Sequence, residues 1–397
     1  MYIELQRMAP TGEAIGQHDG LVIFVPFGMP GDKIEAEITF RRKNYARARI
    51  TQILHPSPQR VPPPCQHFGL CGGCEWQHIP YLLQLEYKTN AVKEQLSRVG
   101  KIKDALVRSC IASPVEYHYR NHMQFALSAG NRPAYHQPAS SEVVEIEDCR
   151  IVDPAINALI ANCGSRIAAM TPAPVPGRAI RGVHIRVDPH TAETTTFLEY
   201  DDGSISSDVD AIQAEIAGYR YTISPASFFQ VNTAAAELLL HEVLHALGLN
   251  GHERVLDLYC GVGLFTLPIS NMAERVVGVE TGASAVRDAA TNLQGHTNAQ
   301  VIQSSVEQAL WGSVLHEHWD AIVVDPPRAG VNYDALISLL HLHAERIVYV
   351  SCDPATLARD ARILCDRGYS LTYIQPLDMF PQTHHVEAIA LFSRAAA

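Results

Sequence analysis

The stretch RIVYVSCDP, residues 346–354, is an apolar run that ends in a thiol. A short apolar run closed by a proline is typical of a strand buried inside a parallel sheet. Because ligands in such sheets lie beyond the carboxyl ends of the strands, we expect Cys352 to face a bound ligand. A second segment, HVE at residues 385–387, places the carboxylate of Glu387 near the start of another strand.

Short apolar runs of this kind alternate with helical stretches from about residue 224 onward. That alternation is typical of βαβ units and predicts a Rossmann-like α/β domain with a seven-stranded sheet. The predicted strands are RVLDLY, RVVGVE, AQVIQSS, WDAIVVD, RIVYVSC, LTYIQPL and VEAIALF.

Two other regions precede this domain, so the sequence predicts three domains, at residues 1–58, 59–222 and 223–397. The first alternates apolar and polar positions in short runs separated by Gly and Pro, which is the spacing of a small OB-type β-barrel. A cluster of prolines at residues 56–64 marks its end. The second is mixed α+β, with one long helix predicted at residues 81–99 and several short strands.

Composition limits the class of protein. The chain has 397 residues, 47% of them hydrophobic and 18% charged, and no apolar run approaches the ~20 residues that cross a bilayer. The N-terminus also lacks an apolar core behind a basic start, so we expect a cytoplasmic protein without membrane contact. A net charge of −11 argues against indiscriminate nucleic-acid binding. One acid-free segment nevertheless suggests a phosphate-binding face, with Arg41, Arg42, Lys43, Arg47, Arg49 and Arg60.

The loop at LDLYCGVG, residues 256–263, has the features of a cofactor loop. Gly261 and Gly263 would let the backbone approach a ligand closely, and Glu280 ends the next predicted strand, where a carboxylate can accept both hydroxyls of a ribose. The alternative is a tight turn followed by an N-capping acid. A dehydrogenase is a rival interpretation, but no third glycine follows at the start of the helix, which favours S-adenosylmethionine over a nicotinamide.

Nine cysteines are too unevenly spread for a secreted disulfide framework. Cys65, Cys71 and Cys74 form the pattern C-x5-CGGC, and Cys149 stands alone much later. Four thiolates from two segments can hold either a 4Fe-4S cluster or a structural zinc. Zinc sites more often use two CxxC knuckles, and only one is present here.

Several separated motifs resemble those of the RNA uracil-5-methyltransferases that carry a TRAM domain in front. The resemblance spans nearly the whole chain and rests on the cysteine set and on SFFQVN (227–232), DLYCGVG (257–263), DPPR (325–328), SCDP (351–354) and FPQTHHVE (380–387). It implies that a thiolate attacks carbon 6 of a uracil, carbon 5 takes the methyl group of S-adenosylmethionine, and a base removes the hydrogen from carbon 5.

The resemblance also implies roles for individual residues. Cys352 would be the nucleophile and Glu387 the base, whereas the structural alternatives are a small buried residue and an ordinary acid at a strand start. Cofactor contacts would come from Gln230, Asp257, Gly261, Glu280 and Asp325, with Asn232 a weaker candidate. RNA cytosine-5-methyltransferases carry a cysteine where this chain has Pro327, so we expect uracil as the target.

By the same resemblance, Cys65, Cys71, Cys74 and Cys149 would hold a 4Fe-4S cluster rather than zinc. The barrel would bind RNA, with Tyr45 as a stacking ring. We expect 23S ribosomal RNA as the substrate more than transfer RNA, and a monomer. The alternative is a non-catalytic RNA-binding or RNA-folding protein that keeps the methyltransferase fold for its shape.

Overall fold

The computed structural model describes residues 1–128, 130, 132–161, 178–312 and 314–395. Its first region is a closed barrel in which alternate side chains point inward, because successive residues of a strand face opposite sides. Ile3 and Leu5 of the first strand, for example, are buried in the barrel core. The barrel strands, in the order β1-β2-β3-β5-β4, are β1 (Tyr2–Met8), β2 (Ala14–His18), β3 (Leu21–Val25), β4 (Lys33–Arg41) and β5 (Tyr45–His55).

The basic segment of the barrel differs from the prediction. Arg60 lies 2.7 Å from the buried carboxylate of Asp32 and donates to it, so its assignment to a phosphate-binding face is wrong. Arg47 and Arg49 also have acidic partners, at 3.1 Å from Glu13 and Glu37. Within the described part of the chain, the exposed cations without an ion pair in this segment are Arg41, Arg42 and Lys43.

The middle region combines helices with a six-stranded antiparallel sheet in the order β11-β10-β9-β6-β7-β8 and a separate hairpin, β12-β13. The predicted long helix is present one residue shorter at its end, as α1 (Tyr81–Arg98). The other elements are β6 (His122–Leu127), β7 (Pro133–His136), β8 (Val143–Glu145), α2 (Pro154–Ile160), β9 (Ile180–Val187), β10 (Thr194–Tyr200), β11 (Ile205–Ser207), β12 (Ile212–Ile216) and β13 (Tyr219–Ile223).

The last region is the predicted seven-stranded sheet, in the order β16-β15-β14-β17-β18-β20-β19 with helices on both faces. Its strands are β14 (Arg254–Leu258), β15 (Arg275–Glu280), β16 (Ala299–Gln303), β17 (Ala321–Val324), β18 (Arg346–Ser351), β19 (Tyr369–Leu377) and β20 (Glu387–Arg394). Its helices are α3 (Thr233–Leu247), α4 (Thr266–Ser270), α5 (Ala283–Asn292), α6 (Val306–Trp311), α7 (Tyr333–Leu340) and α8 (Pro354–Asp366). The predicted fold class is therefore confirmed.

One strand departs from the parallel arrangement. β20 runs antiparallel to both β18 and β19, between which it lies. Residues 378–386 connect β19 to β20, and so short a connection permits a hairpin but not the helical crossover that a parallel pair requires. At the other side of the sheet, the chain order reverses between β14 and β17, which opens a crevice at their carboxyl ends.

A buried ion pair joins the middle region to this hairpin. The Nζ atom of Lys88 on α1 lies 2.5 Å from the Oδ1 atom of Asp378, and both side chains are fully buried. Lys88 also donates to the backbone oxygen of Phe380 at 3.0 Å. These bonds offset the cost of burying the charges, so neither partner can be removed alone without leaving a charge unpaired.

None of the described helices combines the length and the apolar character needed to span a membrane.

We expect Lys88→Met to lower the free energy of unfolding by about 3–5 kcal/mol, because it leaves the buried Asp378 carboxylate without its counter-charge. Adding Asp378→Leu should recover much of the loss. Denaturant unfolding of the three proteins measures both effects. Arg49→Met is the control, since it breaks the exposed Arg49–Glu37 pair and should change stability by at most ~1 kcal/mol. A Lys88→Met protein as stable as this control would contradict the prediction.

Candidate active site

The register of β18 and β20 brings the predicted nucleophile and base together. Ser351 and Ala388 form the last pair of this antiparallel ladder, so Cys352, the residue after β18, lies beside Glu387, the first residue of β20. Cys352 is half-buried and Glu387 is buried. Asp353 fixes the thiol from the other side, because its carboxylate caps α8 by accepting from the N–H groups of Ala355 and Thr356 at 2.8 and 3.0 Å.

Burial dominates the electrostatics of this pair. Burial, together with the neighbouring Glu387 carboxylate, raises the pKa of the Cys352 thiol to about 11, and Arg328 opposes the shift. Burial also holds the pKa of Glu387 well above its usual range, with Asp325 adding to the effect and Arg328 again opposing it. The four side chains therefore form one interacting group at the carboxyl end of the sheet.

Two carboxyls, the buried Asp257 and the half-buried Asp325, border the crevice between β14 and β17. The Oδ2 atom of Asp257 accepts from the hydroxyl of Thr266 at 2.5 Å, and its Oδ1 atom has no hydrogen-bond partner among the described residues. Burial, together with Glu280, raises the pKa of Asp257 to about 7, while the hydrogen bond from Thr266 lowers it. Asp325 follows β17, and burial together with Asp257 raises its pKa to about 7 as well.

The glycine loop leaves open space at this crevice. Gly261 has a φ of +57° and Gly263 a φ of +90°, both in the left-handed region that favours glycine. A Cβ atom on Gly261 would meet nothing within 4 Å, so its surface is free for a ligand. Glu280 is held beside it, because its carboxylate accepts from the N–H groups of Gly261 at 3.1 Å and Gly282 at 2.7 Å.

The two candidate residues of the SFFQVN segment, Gln230 and Asn232, have different surroundings. Gln230 is half-buried, and its backbone oxygen accepts from Asn121 at 3.1 Å. Asn232 is fully buried, caps α3, and donates to Ser113 and to the backbone of Met379, both at 3.1 Å. The interpretation of Asn232 as a cofactor contact is therefore wrong, because its side chain is committed to packing.

A cavity of about 250 Å³ lies at Cys352 and is bounded by all three regions of the chain. The barrel contributes Thr11, α1 contributes Gln95, and the sheet contributes Arg328 and His385. Thr11 and Gln95 had no signal in the sequence, because they come from segments far from the catalytic motifs. Arg328 and His385 lie inside the DPPR and HVE motifs, but the sequence indicated no role for them.

The three cysteines of the C-x5-CGGC pattern and Cys149 line a second cavity, of about 310 Å³. All four are free thiols. Burial raises the pKa of Cys71 to about 11, and Cys149 and Cys65 add to the shift, which shows that the thiols from the two segments are neighbours. Arg328 and His385 line this cavity as well as the one at Cys352.

The thiols do not form a ready metal site as they are placed. In the described part of the chain, no three His, Cys, Asp or Glu side chains are grouped so that they could hold a metal ion. The donor chemistry fits a thiolate-bound centre, because four thiols surround one cavity. The positions of the sulfurs do not by themselves distinguish a cluster from zinc.

Comparisons with known proteins agree with this geometry. Residues 207–395 match the family tRNA (Uracil-5-)-methyltransferase, and residues 3–51 match the TRAM domain. An uncharacterized RNA methyltransferase of Thermosynechococcus vestitus is 32% identical over 98% of this chain and 97% of its own length. The 23S rRNA (uracil(1939)-C(5))-methyltransferase RlmD of Shewanella amazonensis is 31% identical over 98% of this chain and 95% of its own.

A solved structure extends the likeness to the whole fold. The tRNA (uracil-54, C5)-methyltransferase of Pyrococcus abyssi, in complex with S-adenosyl-L-homocysteine, superposes with a TM-score of 0.76 at 25% identity and covers 98% of this chain and 100% of its own. The chain therefore belongs to the RNA uracil-5-methyltransferase family and is an RNA methyltransferase with a TRAM domain at its front.

Proposed function

We propose that this enzyme methylates carbon 5 of a uridine in RNA through a covalent adduct between Cys352 and carbon 6 of the base. The observation that carries the proposal is that Cys352, directly after β18, lies next to Glu387, the first residue of β20, beside Asp325 and Arg328. A thiol and a carboxyl at the same edge of one sheet can act on neighbouring carbons of one ring.

The chemistry assigns a step to each of these two residues. Carbon 5 of uracil is a poor nucleophile, so the Cys352 thiolate first adds to carbon 6 and the electron pair of the double bond moves onto carbon 5 and the adjoining carbonyl as an enolate. S-adenosylmethionine supplies the electrophilic methyl group for carbon 5. Glu387 then removes the proton from carbon 5, the double bond re-forms, and Cys352 leaves as a thiolate. A raised pKa makes Glu387 a stronger base for that proton.

The crevice suits the cofactor. Asp257 presents an unpartnered buried oxygen, the open surface of Gly261 admits a ligand, and Glu280 is fixed where it can accept hydroxyls. We assign cofactor binding to these residues together with Gln230 and Asp325.

We propose three domains, at residues 1–58, 59–222 and 223–397. The first, the barrel, and part of the second would bind RNA. The exposed rings of Phe40 and Tyr45 lie 6.1 Å apart, and the guanidinium of Arg42 lies 5.2 Å from the Phe40 ring. Rings beside cations are a usual platform for unstacked bases. We propose ribosomal RNA as the substrate, since the Shewanella relative is named for 23S rRNA. A transfer RNA is the alternative, as in the name of the Pyrococcus protein.

For Cys65, Cys71, Cys74 and Cys149 we propose a 4Fe-4S cluster. Their common cavity, with three thiols from one segment and the fourth from another, supports this assignment. We propose that the cluster braces the middle region, because no step of methyl transfer needs an electron.

RNA with tritium at carbon 5 of uridine tests the mechanism. We expect tritium release to water from the natural protein, none above background from Cys352→Ala, and a loss of about 10²–10⁴-fold in Glu387→Gln, in which the covalent adduct should accumulate. Cys365→Ala, on α8, is the matched cysteine control.

The tritium-release assay is run separately with total ribosomal RNA and with total transfer RNA. Release from the first alone supports the proposed substrate, and release from the second alone favours the alternative. Release that survives Cys352→Ala would contradict the covalent mechanism. Binding of both RNAs without any release would favour the non-catalytic protein.

The pH dependence of Cys352 alkylation tests the electrostatics without RNA. Because the thiolate is the reactive form, the rate should rise roughly tenfold for each pH unit up to a pKa of about 11. Arg328 lowers that pKa, so Arg328→Gln should move the profile to higher pH, while Arg328→Lys should move it less. Mass spectrometry of the peptide that contains Cys352 reports its alkylation by iodoacetamide. An unchanged profile in Arg328→Gln would show that the guanidinium does not act on the thiol.

An absorption spectrum of anaerobically purified protein, with iron, sulfide and zinc analysis, tests the cluster. We expect a broad iron-sulfur absorption that is lost with the iron in Cys149→Ser, while Cys365→Ser keeps both. A colourless, zinc-replete and active protein would overturn the cluster assignment.

A further inference from the structure

The loop at residues 378–386 leads directly into the proposed base, Glu387, and contains a strained residue. Gln382 has a φ of +69°, a backbone conformation that residues other than glycine rarely adopt. Such a conformation persists only where the surrounding structure holds it. Gln382 is also buried, with 2% of its surface exposed.

Two hydrogen bonds from the cysteine segment hold the backbone of Gln382. Its carbonyl oxygen accepts from the N–H groups of Glu75 at 3.1 Å and Trp76 at 3.0 Å, the two residues that follow Cys74. Because both donors point at one oxygen, the position of the peptide group is fixed from this side.

A reciprocal pair of glutamines holds the other side. The N–H group of Gln382 donates to Oε1 of Gln84 at 3.0 Å, and Nε2 of Gln84 donates to Oε1 of Gln382 at 2.9 Å. Gln84 lies on α1 and is fully buried, and the same Nε2 atom also donates to the backbone oxygens of Ile79 at 2.9 Å and Trp76 at 3.2 Å. Its amide thus ties the loop to the segment that follows the cysteines.

The thiol is held by a different part of the chain. Cys352 stands between β18 and α8, and its position is fixed by the strand and by the Asp353 cap, neither of which involves Gln84 or Gln382. No hydrogen bond of the glutamine pair reaches the thiol, so we expect a change at Gln84 to act on the loop that precedes Glu387.

We propose that Gln84, acting through Gln382, is a positioning residue for the base Glu387. The inference rests on the proposed function, because it assigns Glu387 to removal of the carbon 5 proton. On this proposal, removal of the carbon 5 proton depends on the glutamine pair, whereas the addition of Cys352 to carbon 6 does not.

Gln84→Met tests this dependence, because methionine keeps the length of the side chain and removes its hydrogen bonds. In single turnovers with tritiated RNA, we expect tritium release to fall by roughly 10–100-fold, while the rate of covalent adduct formation stays within about twofold. The adduct should then accumulate as RNA-linked protein on a denaturing gel. Gln213→Met is the matched control, since the side chain of Gln213 donates to Thr222 at 2.9 Å within the β12–β13 hairpin, away from the loop at residues 378–386.

Gln382→Asn provides a second variant if Gln84→Met fails to fold. Asparagine tolerates a positive φ, but its shorter amide cannot reach Gln84. The double variant should lose no more than the larger single loss, because both changes break the same contact.

Two results would overturn the inference. In one, both variants slow adduct formation and tritium release equally, as a general loss of structure would. In the other, release is unchanged although the adduct forms. If the natural protein itself gives no Cys352-dependent adduct, the proposed function fails first, and this inference fails with it.

Discussion

The direction of β20 is the constraint on which the active site depends. In a parallel sheet the start of every strand lies at the edge opposite to the end of its neighbour. Because β20 is reversed, its first residue, Glu387, lies at the edge where β18 ends, beside Cys352. Reversal of this one strand thus brings Glu387, at the start of β20, to the ligand-binding edge of the sheet. The other groups at that edge, such as Cys352 and Asp325, follow the ends of strands.

This arrangement makes a short hairpin loop responsible for the position of a catalytic group, and the loop is fixed from outside. Lys88 and Gln84, one turn apart on α1, hold Asp378 and Gln382. Tyr119 adds a bond to the backbone of Pro381 at 3.0 Å. The middle region therefore holds the loop that leads to Glu387. Its cysteine segment contacts the same loop, because the N–H groups of Glu75 and Trp76 donate to the backbone oxygen of Gln382.

The sequence predicted those features that depend on local pattern. Apolar runs identified all seven strands, and Gly261 marked the cofactor loop through its need for a left-handed conformation. The direction of β20 could not be predicted in this way, since an apolar run is the same in either orientation. The surroundings of Arg60 were missed for a related reason. Its partner, Asp32, lies in another segment, and a count of charges along the chain does not show which cations are already neutralised.

The raised pKa values of Asp257, Asp325 and Glu387 have a common origin. These carboxyls border one crevice, and the cation that acts on Glu387 is the exposed Arg328. A set of carboxyls with raised pKa values suits a positively charged ligand, because a cation among them lowers the pKa of each one. The sulfonium of S-adenosylmethionine has that charge. On the mechanism proposed above, a bound sulfonium would favour the ionised form of Glu387, so that cofactor binding and ionisation of the base are linked.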